Sequence, residues 1–505
     1  MHSPVRSGST VLLQVNIDGL PLYKSSSSQL WPILGLVSNY MDFGLSLGIP
    51  FVIGTFHGHS KPLSLDEYLR EFVDEANKLY REGFIFNEET YIFRISSFVC
   101  DMPARAYIKG VTGHAGYGGC DKCTQKGVHV NSVTFPEVDA PLRTDMSFRA
   151  MSDKHHHNNK DVSPLLDLPI DMVLDFPIDY MHLVCLGVMR KLISLWLSGP
   201  LATRIGRISI EEINNKLTGL RGNIPCDFQR KPRQISHYER WKATELRQLL
   251  LYTGCVVLLD SLPKQLYQNF MLLSVGVGIL LNPELCNAYA EYSRDVLLSF
   301  VKHFGELYGA DRISYNVHGL VHLVEEFKRF GVLDNISSFP FESFLGKMKR
   351  TLRKPNSPLE QLTQRLSEQQ TVAISGDLSD NRQLRHKHND GPVIGDVQFQ
   401  YKELHVHTFI IKMTKADSYV LLSNGDIVSV ENIISTSCGS VRIIYRRFHD
   451  NTSVFSYPLP SVQLGIVKLG KPGTLHDCDI SDIKRKYMVL PYKKHHVGIP
   501  VLHTC

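Results

Sequence analysis

Hydrophobic periodicity changes twice along these 505 residues, and the order of the changes limits what the chain can fold into. Up to Asp101, short β-rich apolar runs are interrupted by one strongly amphipathic helix. From about residue 165 to about residue 328, apolar residues recur at three- and four-residue steps, as in IDYMHLVCLGVMRKLISLWLSG and CNAYAEYSRDVLLSFVKHFGELYG. Several of these segments are apolar almost all round and are expected to pack on one another. After about residue 393 the period becomes two, in VQFQYKELHVHTFIIK, DSYVLLSNGDIVSVENII and SVRIIYRRF, around turns such as Asn424-Gly425. The chain is too long for one core, and the pattern predicts an α/β region, a helical block and a small all-β domain.

The α/β region places two acids at strand ends. VLLQVNID, Val11 to Asp18, is apolar and ends on Asp18; the aspartate is either a metal ligand delivered by the strand or the opening of the Gly19-Leu20-Pro21 turn. SSSSQLWPILGLVSN and PFVIGTFHG read as two more strands. Leu63 to Gly83 reads as a helix with Leu65, Tyr68, Leu69, Phe72, Val73, Ala76 and Leu79 in one stripe. TYIFRISSFVCD is a further strand ending on Asp101, and Met102-Pro103 opens a helix. Three strands, a helix, a strand and a helix is the order of an RNase H-like core, whose first and fourth strands are neighbours. Asp18 and Asp101 would then meet at a topological switch point, where paired carboxylates can hold divalent cations.

Two further stretches have ligand chemistry. In GHAGYGGCDKCTQKG, Cys120 and Cys123 form a CxxC between glycines, a half-site for a tetrahedral ion; a redox pair does not fit the preceding strand pattern. The missing ligands have candidates in His114, His155-His156-His157, His182, Cys185, His318 and His322. Of these, His318 and His322 stand four apart on a helix, one face apart for a metal, whereas the histidine run lies in a polar stretch expected to be an exposed loop. Asp179 and His182 are read as core groups, with a catalytic role as the lesser alternative. SSFPFESFLGKMKRTLRK reads as a helix entered through Ser337, Ser338 and Pro340, with Phe341, Phe344, Leu345 and Met348 on one face. Its lone acid, Glu342, precedes Lys347, Lys349, Arg350, Arg353 and Lys354. That arrangement suits a metal-bound acid beside a polyanion, and equally a solvated helix whose dipole favours basic residues at its C-terminus.

Composition adds limits. A net charge of +5 allows a nucleic-acid partner only through a local basic site. Ten cysteines with one tight pair point to a reduced intracellular compartment. No signal peptide is legible, and the longest apolar run, Leu249 to Leu262, is too short to span a bilayer, so no membrane partner is expected. The first strand starts so near Met1 that no separate N-terminal DNA-binding module is expected.

NIDGLPLYKSSSSQLWPILG, CDMPARAYIKGVTGHAGYGGCDKC, DYMHLVCLGVMRKL and HGLVHLVEEF…FPFESFLGKMKRTLRK, in this order, resemble the DDE transposases of CACTA/EnSpm-type transposons, from about residue 10 to 372. The resemblance implies an α/β RNase H-like core interrupted by a large all-helical insertion and followed by the all-β domain. The divisions are 10–112 for the first part of the core, 113–336 for the zinc knuckle and helical insertion, and 337–374 for the catalytic helix. A linker over 375–392 and the β domain over 393–505 complete them. It implies Asp18, Asp101 and Glu342 as a triad for two Mg²⁺ or Mn²⁺ ions. By similarity to the related RAG recombinase it also implies Cys120, Cys123, His318 and His322 as one structural Zn²⁺ site. The implied activity is cleavage and transfer of strands of double-stranded DNA, at transposon ends and target, in the nucleus and by a homodimer. Lys347, Lys349, Arg350, Arg353 and Lys354 would hold the DNA backbone, with Arg105 and Lys109 adding to that surface. Two alternatives accompany this reading. One is a truncated or host-adopted copy, a catalytically silent DNA- or protein-binding scaffold; the other is a structure-selective nuclease on the same fold.

Overall fold

The computed structural model describes residues 9–43, 48–157, 162–354, 356–373, 383–406 and 409–503. It forms two compact units, each built from two separate stretches of chain. One joins the chain up to Val188 to Phe304–Asp377, and the other joins Met189–His303 to Leu378–Cys505.

The first unit is built on a mixed sheet around β1 (Thr10–Ile17). β2 (Gln29–Val37) runs antiparallel to β1, pairing Leu13 with Val37 and Ile17 with Ile33, and β3 (Phe51–Gly58) runs antiparallel to β2. The chain then crosses through α1 (Leu65–Glu82), β4 (Phe84–Phe86) and β5 (Glu89–Phe98). β5 lies parallel to β1, from Thr10 beside Ile92 to Val15 beside Phe98, and the order across the sheet is β3-β2-β1-β5-β4. β1 is buried on both faces. Leu13, Val15 and Ile17 fill one side, and each such buried side chain contributes roughly 1.5–3 kcal/mol. Gln14 and Asn16, on the other, donate to Asn335 O at 2.6 Å and to Val99 O at 2.7 Å. α1 begins at Ser64, whose side chain accepts from Glu67 N, and ends at Gly83, where φ is 66° and a Cβ would stand 2.3 Å from Tyr91 O.

Beyond β5 the chain turns into α2 (Met102–Lys109), and after the insertion it returns through α3 (Tyr315–Gly319). α4 (Leu323–Phe330), α5 (Phe339–Thr351) and α6 (Pro358–Ala373) follow. The expected continuous helix through His318 and His322 is in fact α3, a 3₁₀ turn at Leu320–His322, and α4.

The second unit packs helices from 189–303 with an antiparallel sheet. Lys264–Leu281 is buried on nearly every side, and its Asn269 donates to Phe300 O at 3.2 Å. The sheet contains β6 (Gln383–His388), β7 (Phe399–His405), β8 (Ile410–Lys412), β9 (Tyr419–Leu422) and β10 (Ile427–Ser435). It continues with β11 (Val441–Phe448), β12 (Val467–Leu469), β13 (Pro472–Asp479), β14 (Ile483–Tyr492) and β15 (His495–Pro500). Asn424-Gly425 does turn β9 into β10, with Gly425 at φ 88°.

Three boundaries differ from expectation. The middle of the predicted insertion clusters with the β region, while its two ends stay with the first sheet. The predicted linker over 375–392 contains β6, which pairs with β7 from Gln383–His405 to His388–Gln400; 374–382 lie outside the described residues. Among the described residues, Met181–Ser198 is long and apolar enough to cross a membrane, and 56% of it is buried inside the protein, as in a core helix.

Candidate functional site

Parallel pairing of β1 with β5 brings Asp18, one residue past β1, and Asp101, three past β5, to the same end of the sheet. Asp18 Oδ1 accepts from Gly19 N at 2.7 Å, as the turn reading expects. Asp101 caps α2, its Oδ1 accepting from Ala104 N at 2.8 Å. Glu342 comes from the first turn of α5, with its side chain 44% exposed. The three acids share one field. Burial, then the charges of Asp101 and Glu342, push the Asp18 carboxyl up to about 7, against the opposing pull of His182 and Gly19 N–H.

His182 and Asp179 belong to this cluster and are more than core groups. His182 Nδ1 lies 2.5 Å from Asp179 Oδ2, and its Nε2 is 3.8 Å from Glu342 Oε1. Burial pulls the imidazole down, but the Asp179 hydrogen bond and the charges of Asp179, Asp101 and Glu342 outweigh it and hold it at about 9. Asp179 also accepts from Met181 N and from Ser338 N at the entry to α5, both at 3.0 Å. The sequence offered His182 as a candidate ligand; only the return of α5 to the sheet brings Glu342 against it.

The outer face of α5 is basic. Phe341, Leu345 and Met348 are buried, while Lys347, Lys349, Arg350, Arg353 and Lys354 are exposed. Lys349 Nζ donates to Pro21 O and Tyr23 Oη donates to Lys354 O at 2.8 Å, tying this end of the helix to the loop after Asp18.

Arg105 and Lys109 do not belong to that surface. Each is 2% exposed, because the α2 face that carries them packs inward on the CxxC loop. Arg105 donates through Nε to Asp121 Oδ2 at 2.5 Å, through Nη1 to Pro177 O at 2.8 Å and through Nη2 to Tyr315 Oη at 2.6 Å. Lys109 Nζ lies 3.4 Å from Asp121 Oδ1.

Cys120, Cys123, His318 and His322 form a second, tighter cluster. Their ligand atoms lie within 4.8 Å of one another, and all four residues are buried. Cys120 Sγ is 3.5 Å from Cys123 Sγ and from His322 Nε2; His318 Nε2 is 3.3 Å from Cys123 Sγ and from His322 Nε2. His318 Nδ1 lies 3.0 Å from Glu137 O, which directs Nε2 towards the thiols. Burial pushes the Cys120 thiol up, but the Cys123 thiol and the His322 and His318 rings outweigh it and hold it well below the ordinary value. The other candidate ligands lie elsewhere. His182 is among the carboxylates, and the histidine run is not the exposed loop expected. His156 and His157 are buried against Phe148, with ring centroids 6.0 and 4.7 Å away, and His155 alone is exposed.

A third group, Cys226, Asp227 and Asp417, also has ligand atoms within 4.8 Å. Its cation is Lys486, whose Nζ bonds Asp227, Ile410 O and Asp417 Oδ1, the last at 2.7 Å. No sequence signal pointed to it.

A family described as a domain of unknown function (DUF8592) matches residues 387–501, the sheet of the second unit. No curated protein matches the chain.

Proposed function

We propose that the first sheet is an RNase H-like catalytic core and that Asp18, Asp101 and Glu342 hold two Mg²⁺ or Mn²⁺ ions for transposase-type cleavage and transfer of double-stranded DNA. One observation carries the reading: Asp101 and Glu342, far from Asp18 in sequence, raise its proton affinity at one end of two parallel strands. Hard oxygen donors gathered in this way suit these ions. Bound there, the cations supply an activated water or 3′-hydroxyl and stabilise the leaving oxygen.

The chain's own residues do the remainder. Asp101 and Asp18 are fixed by backbone N–H groups, so two of the acids are preorganised. His182, oriented by Asp179, holds a proton at Nε2 beside Glu342 and offers it to a phosphate oxygen. Lys347, Lys349 and Arg350 on the helix that carries Glu342, and Arg353 and Lys354 just past its end, face solvent, where they contact backbone phosphates without reading sequence. Two cysteine sulfurs and two imidazoles in mutual contact suit a tetrahedral Zn²⁺, which would join the start and end of the insertion.

The test is to incubate the protein with supercoiled plasmid and Mg²⁺ or Mn²⁺. Metal-dependent nicking or strand transfer is expected, falling by about 100-fold or more in Asp18→Ala and Glu342→Ala. Equal inertness of wild type and variants that still bind DNA overturns the catalytic reading and leaves a binding scaffold. Nicking without joined products selects a nuclease.

A further inference from the structure

The two residues inside the CxxC are charged, buried and turned to opposite partners. Asp121 faces Arg105 and Lys109 on α2, the helix that Asp101 caps. Lys122 pairs with Glu326 Oε1 at 2.8 Å, on the helix after His322, and donates to Val173 O at 2.9 Å. Arg105 is the hub. One turn along α2 from Asp101, it holds Asp121, Tyr315 Oη in the same short helix as His318, and Pro177 O, two residues before Asp179. Arg105 thus links α2, which Asp101 caps, and the carbonyl two residues before Asp179 to the CxxC loop and to the helix of His318.

An Arg–Asp pair this deeply enclosed depends on both partners keeping their places, because either charge left alone in the interior is strongly destabilising. Asp121 stands between Cys120 and Cys123 in the chain, so an ion closing these two with His318 and His322 would hold Asp121 against Arg105 and Lys109.

We infer that Arg105 and Asp121 are positioning residues that couple metal occupancy of the Cys/His cluster to divalent-cation binding at Asp18, Asp101 and Glu342, so that the carboxylate site is assembled only when the thiol–imidazole site is filled. This rests on the metal-binding reading of the three acids. Coupling of this kind is reciprocal and spans about 5- to 150-fold in affinity.

The experiment uses the full chain loaded with one equivalent of Zn²⁺, verified by native mass spectrometry, and reads Mn²⁺ binding from the loss of its free electron-spin signal. Asp18→Ala defines the Mn²⁺ that belongs to the carboxylates. Asp121→Asn, which keeps shape and removes charge, is expected to retain its Zn²⁺ yet bind that Mn²⁺ about tenfold more weakly. Lys122→Met breaks the equally buried pair on the other side of the loop and is expected to leave Mn²⁺ affinity within about twofold, whereas a merely structural effect would lower both alike. A second measurement needs no variant at these positions: Zn²⁺ affinity of the wild type, by competition with a chromophoric chelator, tightens by the same factor when Mg²⁺ is saturating. Unchanged Mn²⁺ affinity in Zn²⁺-filled Asp121→Asn overturns the coupling, as does Zn²⁺ affinity indifferent to Mg²⁺. A wild type with no Asp18-dependent Mn²⁺ binding overturns the carboxylate reading itself, and the coupling with it.

Discussion

Asp18 has the most strained ionisation in the cluster, and its sign is testable. Its carboxyl is raised by burial and by Asp101 and Glu342 from an unfolded value of 3.8 to about 7 in the fold. Below pH 3.8 both states hold the proton and Asp18 costs nothing; between 3.8 and 7 the unfolded chain releases a proton that the fold retains, so stability falls as pH rises; above 7 the whole penalty is present. Asp18→Asn removes the penalty. With no Mg²⁺ or Mn²⁺ added, urea denaturation at pH 8 is expected to find the variant more stable by on the order of 1–2 kcal/mol after solvent screening, and at pH 3.5 to find no difference. Saturating Mg²⁺ should reverse the order at pH 8, because only the wild type gains the ligand's binding energy.

At the scale of the element, α5 divides its work between faces. Phe341, Leu345 and Met348 seat it, Glu342 enters the site from its first turn, and the basic residues follow toward its C-terminus. If those residues neutralise phosphates, each release of counterions appears in the salt dependence of binding. Arg350→Gln with Arg353→Gln is expected to reduce the slope of log affinity against log salt by about 0.9 per lost contact, equally for unrelated DNA sequences. A slope unchanged in the double variant would place the DNA elsewhere. Changing Arg105 or Lys109 has a different expected effect. Both are interior, so it would act on α2 and the CxxC loop rather than on salt dependence.

At the scale of the molecule, the second unit is held at one point by a buried charge. Lys486 satisfies Asp227, Asp417 and Ile410 O together, joining a loop of the helical stretch to the sheet. Lys486→Met leaves two enclosed carboxylates without a cation and is expected to destabilise the second unit by about 3–5 kcal/mol. Faster amide exchange along β14 would report it, with partial recovery in Lys486→Met with Asp227→Asn. Protection equal to wild type would mean that the carboxylates reach water.

Much of the first unit was legible in the residues themselves. Strands and helices from Thr10 to Lys109 follow from local periodicity, from Ser64 and Asp101 as caps and from Gly83 as a stop, and all of these act within a few residues. Asp18, Asp101 and Glu342 were visible as acids at element ends, and the CxxC as half a ligand set. Four things were decided only in three dimensions: that β6 belongs to the sheet, that the insertion divides between two units, that His182 faces Glu342, and that Arg105 and Lys109 point inward. Periodicity specifies which face of a helix is buried only when that face is apolar. Arg105 and Lys109 are buried because Asp121, brought over by the CxxC loop, compensates their charge, and such compensation depends on contacts between residues that no local pattern connects.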